Sequence, residues 1–333
     1  MTEFIYYEEQ IEDHPRAIEI FRRYPRATRI PCGHYKEIFN PNGQNFRLQK
    51  KKPALILAQN RGKLVHSVPS TYGIGGKRNF YFSHMLNCLY DCRYCFLQGM
   101  YPSAHYLLFI NFEDFFREIG VVTDQNPNDG SWFFSGYDCD SLALENLTGF
   151  VASALPFFAN RSNAFLELRT KSINLKTLAK TEPLPNVVTA FSFTPAEISE
   201  SLEKGVPSVH ARIRAMNKLA EQGWLIGLRL DPILDCQDFD KRYGKLIDDL
   251  FSKLPENAVH SVSLGPFRLP DPFFKRMERL YPEEALFAGD FEKRGRSVSY
   301  GKEVERERIG ICRDLVLRHM PKEKLFICEP MEE

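Results

Sequence analysis

The chain has 333 residues, 43% of them hydrophobic, which is enough for a full core in one large domain or in one domain with appended segments. Its 44 basic and 43 acidic residues nearly cancel, so the overall charge favours no particular partner, and a nucleic-acid binder would have to concentrate its basic residues locally. The acidic N-terminus lacks the apolar region of a secretory signal, and no run of 18 apolar residues predicts a membrane span.

The first part of the chain, residues 1–78, is predicted to be an N-terminal extension. It begins with an acidic, helix-like stretch, continues with basic clusters at 22–26 and 47–52, and then has a strand-like apolar run at 54–58. Residues 79–333 are predicted to form the main domain.

The main domain alternates strand-like and helix-like segments. Strands are predicted at 79–86, 131–136, 164–170, 186–193, 224–234 and 258–267. The clearest helix between them spans 208–222, where Ser208 can cap the start and Gly223 ends it. This alternation predicts an α/β fold with a parallel sheet. Six βα units in about 190 residues fall short of the eight-unit barrel, so an open, partial (β/α)6 TIM-like barrel is expected.

The cysteines are distributed unevenly. The eight are Cys32, Cys88, Cys92, Cys95, Cys139, Cys236, Cys312 and Cys328. Outside one cluster they are scattered singly, which is typical of a reducing cytosol, where clustered thiols bind metal more often than they form disulfides. We therefore expect a cytoplasmic protein.

The cluster lies in "NCLYDCRYCF", where Cys88, Cys92 and Cys95 follow the first predicted strand. In open parallel sheets, ligands bind at the carboxyl ends of the strands, which is where this loop begins. A closed zinc site needs four ligands, and the chain has no second C-x2-C pair. Three thiolates on a [4Fe–4S] cluster would leave one iron open. The alternative is a zinc site completed by a distant residue, with Cys139 and His84 as candidates.

The C-x3-C-x2-C spacing on this loop resembles that of the radical S-adenosylmethionine enzymes. The resemblance implies that the open iron binds the amino and carboxylate groups of S-adenosylmethionine, and that an electron from the cluster cleaves this cofactor to a 5′-deoxyadenosyl radical. Tyr94 or Phe96 matches the aromatic position that packs on adenine in that family.

Several motifs narrow the resemblance to the spore photoproduct lyases over roughly residues 53–327. "CRYCFLQ" is similar to their cysteine loop, "LRTKS" to their segment with a cofactor-contacting lysine, here Lys171, and "FSF" to their ribose-contacting motif, here with Ser192. Ser135, Gly136 and Asp231, at predicted strand ends, are further cofactor-binding candidates. "KRGRSVSYGK" resembles a C-terminal family segment that contacts DNA.

The resemblance implies a light-independent DNA repair lyase that splits the spore photoproduct, or a related thymine lesion, back to thymines. In the family, the radical removes a hydrogen from C6 of the lesion, the bond between the thymines breaks, and a cysteine thiol returns a hydrogen atom with the help of a tyrosine pair. The implied partners are DNA with thymine photolesions and a reductant such as flavodoxin or ferredoxin, and the expected state is a monomer.

The departures from the family pattern fall on this chemistry. Where the family has its hydrogen-donating cysteine, "GYDCD" places Tyr137, with Cys139 two residues later. Either Cys139 or Tyr137 is the donor, or the terminal step differs, and Cys139 is equally well explained as a small core residue. Phe96 replaces one tyrosine of the pair, whereas Tyr94 fits the family.

Three basic clusters are candidates for DNA contact, although each alone is most simply explained as solvated surface charge. They are Arg22, Arg23, Arg26 and Arg29, then Lys50 to Lys52, and then Lys293, Arg294, Arg296 and Lys302. In the last cluster Arg296 matches a substrate-contacting arginine of the family, and Tyr300 is a candidate to replace the tyrosine that follows it there. Two other hypotheses remain: a radical enzyme acting on another nucleic acid or a small molecule, and a non-enzymatic metal-binding protein.

Overall fold

The structure is a computed structural model that describes residues 2–69 and 72–328. The strands are β1 (Phe4–Glu8), β2 (Thr28–Cys32), β3 (Leu55–Ala58), β4 (Val65–Ser67), β5 (Arg78–Phe82), β6 (Met85–Leu86), β7 (Asp91–Cys92), β8 (Tyr106–Phe109), β9 (Ser131–Ser135), β10 (Ala164–Thr170), β11 (Val187–Ser192), β12 (Glu203–Lys204), β13 (Leu225–Ile233), β14 (Val259–Pro266), β15 (Arg268–Pro270), β16 (Phe291–Arg294), β17 (Ser297–Tyr300) and β18 (Leu325–Ile327).

Helices connect most of these strands. They are α1 (Pro15–Arg23), α2 (Lys36–Phe39), α3 (Phe46–Lys51), α4 (Leu97–Met100), α5 (Phe112–Asp124), α6 (Glu145–Thr148), α7 (Phe150–Ala159), α8 (Ala196–Leu202), α9 (Val209–Glu221), α10 (Phe239–Phe251), α11 (Asp271–Leu280) and α12 (Lys302–Val316). None of them has the length and hydropathy needed to span a membrane, a finding that covers the described residues.

The main sheet is a curled half-barrel with the strand order β18-β14-β13-β11-β10-β9-β5-β4. Strands β5 to β18 in this order run parallel, and β4 is added antiparallel to β5 at one edge. The six predicted strands correspond to β5, β9, β10, β11, β13 and β14, so the partial barrel is confirmed. The short strand β18 was not predicted.

The sequences of these strands are mostly apolar because the strands are buried. Every residue of β11 is buried, as expected for a central parallel strand that is covered on both faces. The predicted helix at 208–222 is confirmed as α9, where the Ser208 side chain accepts a hydrogen bond from the backbone N–H of Ala211 at 3.2 Å. Gly223, which follows the helix, has a φ of 96°, a backbone conformation that favours glycine.

A second sheet, in the order β2-β1-β3-β8-β6, joins the N-terminal segment to the barrel. Strand β3 pairs in parallel with β8, and β4 pairs with β5 of the main sheet, so elements before and after residue 78 share both sheets. Buried apolar side chains from Ile5 to Met320 form one core. The division of the chain at residue 78 stays a prediction about domains.

A small three-stranded sheet, β15-β17-β16, packs with α11 beside the cysteine loop. Helix α4, directly after the loop, approaches α11 so closely that a Cβ at Gly99 would lie 2.6 Å from the carbonyl oxygen of Phe273. The glycine therefore permits this approach, which fixes the end of the cysteine loop.

Candidate active site

The three clustered cysteines lie between β6 and α4, in the cysteine loop that includes the two-residue strand β7 and follows the first barrel strand. They belong to one group of packed side chains, in which Cys92 is buried and Cys88 and Cys95 are partly buried. Burial raises the pKa of the Cys92 thiol well above its usual value, and the thiols of Cys95 and Cys88 are close enough to raise it further. The structure therefore brings the three predicted metal ligands together.

The backbone around the cysteines is held at several points. Asn87 adopts a φ of 69°, and its side-chain amide donates to the carbonyls of Ser103 at 2.8 Å and His105 at 2.7 Å. Strand β7 pairs with β12, which places Cys92 opposite Glu203. These contacts fix the loop against two separate parts of the chain.

Positive side chains surround the thiols. Burial raises the pKa of Cys88 to about 12, while Lys50 opposes this rise. Burial also raises the pKa of Cys95, and Lys171, Lys50 and Arg169 act against it. Because a thiol must lose its proton to bind a metal, these cations favour the binding form. The backbone N–H of Tyr90 lies 3.4 Å from the sulfur of Cys88, a further favourable contact for a thiolate.

The donor set of this loop is compatible with an iron–sulfur cluster. Among the described residues, no three His, Cys, Asp or Glu side chains are already arranged to hold a metal ion, so the case for a metal group rests on the thiols and their surroundings. His84, a candidate fourth zinc ligand, instead stacks on Phe150 with ring centroids 3.9 Å apart, and burial lowers its pKa to about 3. Three thiols on one short loop, with cations near Cys88 and Cys95 and the Tyr90 N–H near Cys88, suit a cluster that spreads its ligands over several irons.

A buried polar network lies behind the loop. The Tyr94 hydroxyl donates to Glu203, whose carboxylate also accepts from Arg212 at 2.6 Å and from Ser199 at 2.6 Å. The ammonium of Lys171 lies 4.0 Å from Glu203 and 5.6 Å from the centre of the Tyr94 ring. Arg212 and Glu203 are fully buried, so this network fixes Tyr94 and directs Lys171 towards the cysteines.

Polar side chains also line the carboxyl ends of the neighbouring strands. Arg169 donates to the Ser192 hydroxyl at 3.4 Å and lies 3.5 Å from the Asp231 carboxylate. Burial raises the pKa of Asp231, but Arg268 and Arg169 outweigh this effect and hold the pKa below its usual value. Ser192 pairs in register with Arg229, two residues before Asp231 on β13, so these groups face the barrel interior together.

The interior below this rim is closed. Arg229 on β13 forms a two-pronged pair with Glu167 on β10, at 3.2 and 2.7 Å, and both side chains are buried. Beneath the pair, Trp132 and Val188 pack in a small apolar group. A ligand in the half-barrel therefore rests on the rim at the level of the cysteine loop.

The segment "GYDCD" is a tightly tied loop. Gly136 has a φ of 92°, and a Cβ there would lie 2.6 Å from the Ser141 hydroxyl oxygen. Asp138 accepts hydrogen bonds from Ser83 and Tyr101, and Asp140 accepts from the backbone N–H of Lys171 at 2.6 Å. These hydrogen bonds fix the backbone at Asp138 and Asp140, and they therefore fix the positions of Tyr137 and Cys139.

Sequence comparison agrees with this geometry. A family profile described as Spore photoproduct lyase matches residues 76–307, more than half of the chain. The chain belongs to the spore photoproduct lyase family. Members of this family are radical S-adenosylmethionine lyases.

Curated members of the family match most of the chain at low identity. The spore photoproduct lyase of Bacillus subtilis (strain 168) is 23% identical over 294 residues, covering 83% of this chain and 86% of that protein. The spore photoproduct lyase of Geobacillus sp. (strain Y412MC61) is 21% identical over 310 residues, covering 91% and 88%.

Solved structures of spore photoproduct lyases share the fold along the whole chain. A double mutant with bound AdoMet and dinucleoside spore photoproduct has a TM-score of 0.84 at 17% identity and covers 99% of this chain and 98% of its own. A spore photoproduct lyase complexed with dinucleoside spore photoproduct has a TM-score of 0.83 at 19% identity, with the same coverage. At these identities the likeness shows the fold alone.

The two candidate hydrogen donors of this family member point in different directions. The side chain of Tyr137 is 49% exposed, and its ring contacts Phe96 and Tyr81 with centroids 5.2 and 4.6 Å away. Cys139 is buried in the main core, although it lies near enough to Cys88 for the two to interact electrostatically. Tyr81 shares the interior face of the sheet with the rim, since it pairs in register with Phe134, which pairs with Glu167.

The candidate DNA contacts differ in their exposure to solvent. Tyr300 is buried, its ring stacks on Phe291 at 5.0 Å, and its hydroxyl accepts from the backbone N–H of Asp235 at 3.2 Å. Arg296 is exposed at the turn between β16 and β17, and Lys302, the first residue of α12, is also exposed.

Several site residues were not found by sequence reasoning. In the sequence Lys50 belongs to one of the basic clusters, and no motif marks Tyr81, Glu203 or Arg212. A charged residue inside an otherwise apolar helix face, as for Arg212 in α9, was the available signal for one of them.

Proposed function

We propose that this protein is a light-independent DNA repair lyase that splits the spore photoproduct, or a closely related thymine lesion, back to thymines. The observation that carries the proposal is the three-thiol loop, placed by a spore photoproduct lyase fold beside a polar rim at the carboxyl ends of the barrel strands. Cys88, Cys92 and Cys95 would hold a [4Fe–4S] cluster, which supplies the electron that cleaves S-adenosylmethionine.

The rim offers suitable contacts for that cofactor. Ser135 and Gly136 end β9, Lys171 follows β10, and Ser192 and Asp231 lie on the interior face of β11 and β13. A carboxylate held ionised by two arginines suits hydroxyl or amino donors. Phe96 is partly exposed at the mouth, which supports it as the adenine-packing ring.

The hydroxyl of Tyr94 donates its hydrogen bond to the buried Glu203 carboxylate, so it is engaged within the protein. We assign Tyr94 a positioning role towards Lys171.

For the hydrogen return we assign Tyr137 as the donor. Its ring stands half-exposed at the mouth, whereas the Cys139 thiol faces the core. In this step the Tyr137 O–H bond breaks and a C–H bond forms on the thymine radical, which leaves the unpaired electron on the Tyr137 ring. Tyr81, in ring contact, is placed to share or receive it.

The lesion must leave the base stack to reach this rim, and a damaged, weakly stacked site costs the least to extrude. Arg296 and Lys302 are the proposed DNA contacts, while Tyr300 supports the fold beneath them. A flavodoxin or ferredoxin as reductant, a monomeric state and a cytoplasmic location complete the proposal.

Two point variants test the assignment of the donor. Protein reconstituted anaerobically with iron and sulfide is mixed with S-adenosylmethionine, dithionite and dinucleoside spore photoproduct, and the products are separated by mass spectrometry. We expect the wild type and Cys139→Ala to yield thymidine, and Tyr137→Phe to lose the lesion without clean recovery of thymidine. Normal thymidine formation by Tyr137→Phe and its loss in Cys139→Ala would reverse the assignment.

A different result favours the alternative function. If the wild type forms 5′-deoxyadenosine but leaves every thymine photoproduct intact, the protein is a radical enzyme for another nucleic acid or a small molecule. If the reconstituted protein takes up no iron, both the repair function and the alternative radical-enzyme function are rejected.

A further inference from the structure

A lysine from the N-terminal segment reaches the cysteine loop. Lys50, near the end of α3, donates from its ammonium to the carbonyl oxygens of Cys88 at 2.8 Å and Tyr90 at 2.9 Å. These two carbonyls flank the first turn of the loop that carries the thiols. One side chain, 38 positions earlier in the chain, thus fixes the loop and brings a positive charge to it.

The contact is built by its surroundings. The Asn45 side chain caps α3 by accepting from the backbone N–H of Leu48 at 3.1 Å. Gln49 accepts from the backbone N–H of Ala104 at 2.9 Å, next to Ser103, whose carbonyl receives the Asn87 amide. Helix α3 and the cysteine loop are therefore joined at two adjacent places.

Lys50 also differs from the lysines beside it. It is partly buried, and no carboxylate in the described part of the chain pairs with it. Lys51 is exposed, and Lys52 is exposed and pairs with Glu3 at 3.3 Å. Because Lys50 forms no ion pair there, its charge acts on the thiol loop, where it opposes the effect of Asp140 on Cys88.

We propose that Lys50 is a positioning residue that holds the Cys88–Tyr90 turn and whose charge favours the reduced form of the cluster bound there. The inference rests on the proposed function, since it requires that cluster. A positive charge in a partly buried site stabilises the state that carries one more electron. Loss of this charge therefore makes the cluster harder to reduce.

The test compares three variants. Lys50→Met removes the charge at similar length, Lys50→Arg keeps it, and Lys51→Met removes an exposed charge one residue away. Each reconstituted protein is assayed for iron and sulfide and titrated with dithionite under spectroscopic control to obtain its midpoint potential, and circular dichroism reports its folding.

We expect Lys50→Arg and Lys51→Met to match the wild type. In Lys50→Met the equilibrium constant for one-electron reduction should fall about tenfold, which corresponds to a shift of about 59 mV to more negative potential. Loss of cluster from a folded Lys50→Met protein, with retention in Lys50→Arg, also supports the proposal.

Equal potentials in Lys50→Met and Lys51→Met would overturn the assignment of Lys50 and leave the proposed function intact. A wild-type protein that takes up no iron–sulfur cluster would overturn both. The two failures are therefore distinguishable in one set of measurements.

Discussion

Removal of Arg212 should destabilise the protein strongly and specifically. Its guanidinium donates to Glu203 at 2.6 Å, to the Ser199 hydroxyl at 2.7 Å and to the carbonyl of Ser192 at 2.8 Å. Arg212→Met leaves the buried Glu203 carboxylate with Lys171 as its remaining cationic neighbour, at 4.0 Å. Breaking a buried ion pair from one side typically costs about 3–5 kcal/mol.

The size of this effect can be converted into a melting temperature. Unfolding entropy is about 2.1 cal/mol/K per residue near the midpoint, or roughly 0.7 kcal/mol/K for a chain of this length. The expected loss of stability therefore lowers Tm by about 4–7 °C in a calorimetric or circular dichroism melt. Arg214→Met is the matched control, because Arg214 is exposed on the same helix, and it should change stability by less than about 0.5 kcal/mol.

A double variant separates charge from packing. Adding Glu203→Gln to Arg212→Met removes the uncompensated carboxylate, so about 1–3 kcal/mol should be recovered. If Arg212→Met has the same Tm as Arg214→Met, the buried pair of Arg212 and Glu203 does not hold the cysteine loop as described. If the double variant recovers nothing, the loss comes from packing instead of charge.

Three further predictions address other parts of the molecule. Burial lowers the pKa of His84 from its usual 6.5 to about 3, so between these two pH values the unfolded state takes up a proton and the folded state does not. Between pH 7 and 5 the wild type should therefore lose about 2 kcal/mol more stability than His84→Phe in urea titrations. Equal losses would contradict the burial of a neutral imidazole. Gly136 has a φ of 92°, and a Cβ there would lie 2.6 Å from the Ser141 hydroxyl oxygen, so Gly136→Ala should lower Tm. Gly149→Ala should lower Tm less, because φ there is 61° but the space around the Cβ is open. Equal Tm values for the two variants would show that the loop around Gly136 relaxes. Arg296→Ala should weaken binding to photodamaged DNA and reduce its salt slope by about one in fluorescence titrations, and an unchanged slope would remove Arg296 from the DNA contacts.

Local sequence patterns were enough to predict the barrel. The alternation in 164–170 matches β10, and the capping pattern at Ser208 matches α9, because both depend on neighbouring residues. The spacing of Cys88, Cys92 and Cys95 predicts that they lie on one loop, as the structure shows, while their role as cluster ligands stays a prediction. Strand β18 has three residues, too few for a periodic signal.

Contacts between distant segments could not be predicted in this way. Tyr94 and Glu203 are 109 positions apart, and Lys50 precedes Cys88 by 38, so no local pattern links them. The ring contact between Tyr81 and Tyr137 depends on the pairing of β5 with β9. Burial likewise separates exposed Arg296 from buried Tyr300, although both lie in the same basic, aromatic stretch.

The most direct test of the proposed function is one turnover on a defined lesion. Reconstituted wild-type protein is reduced with dithionite and given S-adenosylmethionine with dinucleoside spore photoproduct, and lesion, thymidine and 5′-deoxyadenosine are quantified together. We predict that the photoproduct disappears and that two thymidine molecules appear for each photoproduct lost. Formation of 5′-deoxyadenosine while the photoproduct remains intact would contradict a role in the repair of this lesion.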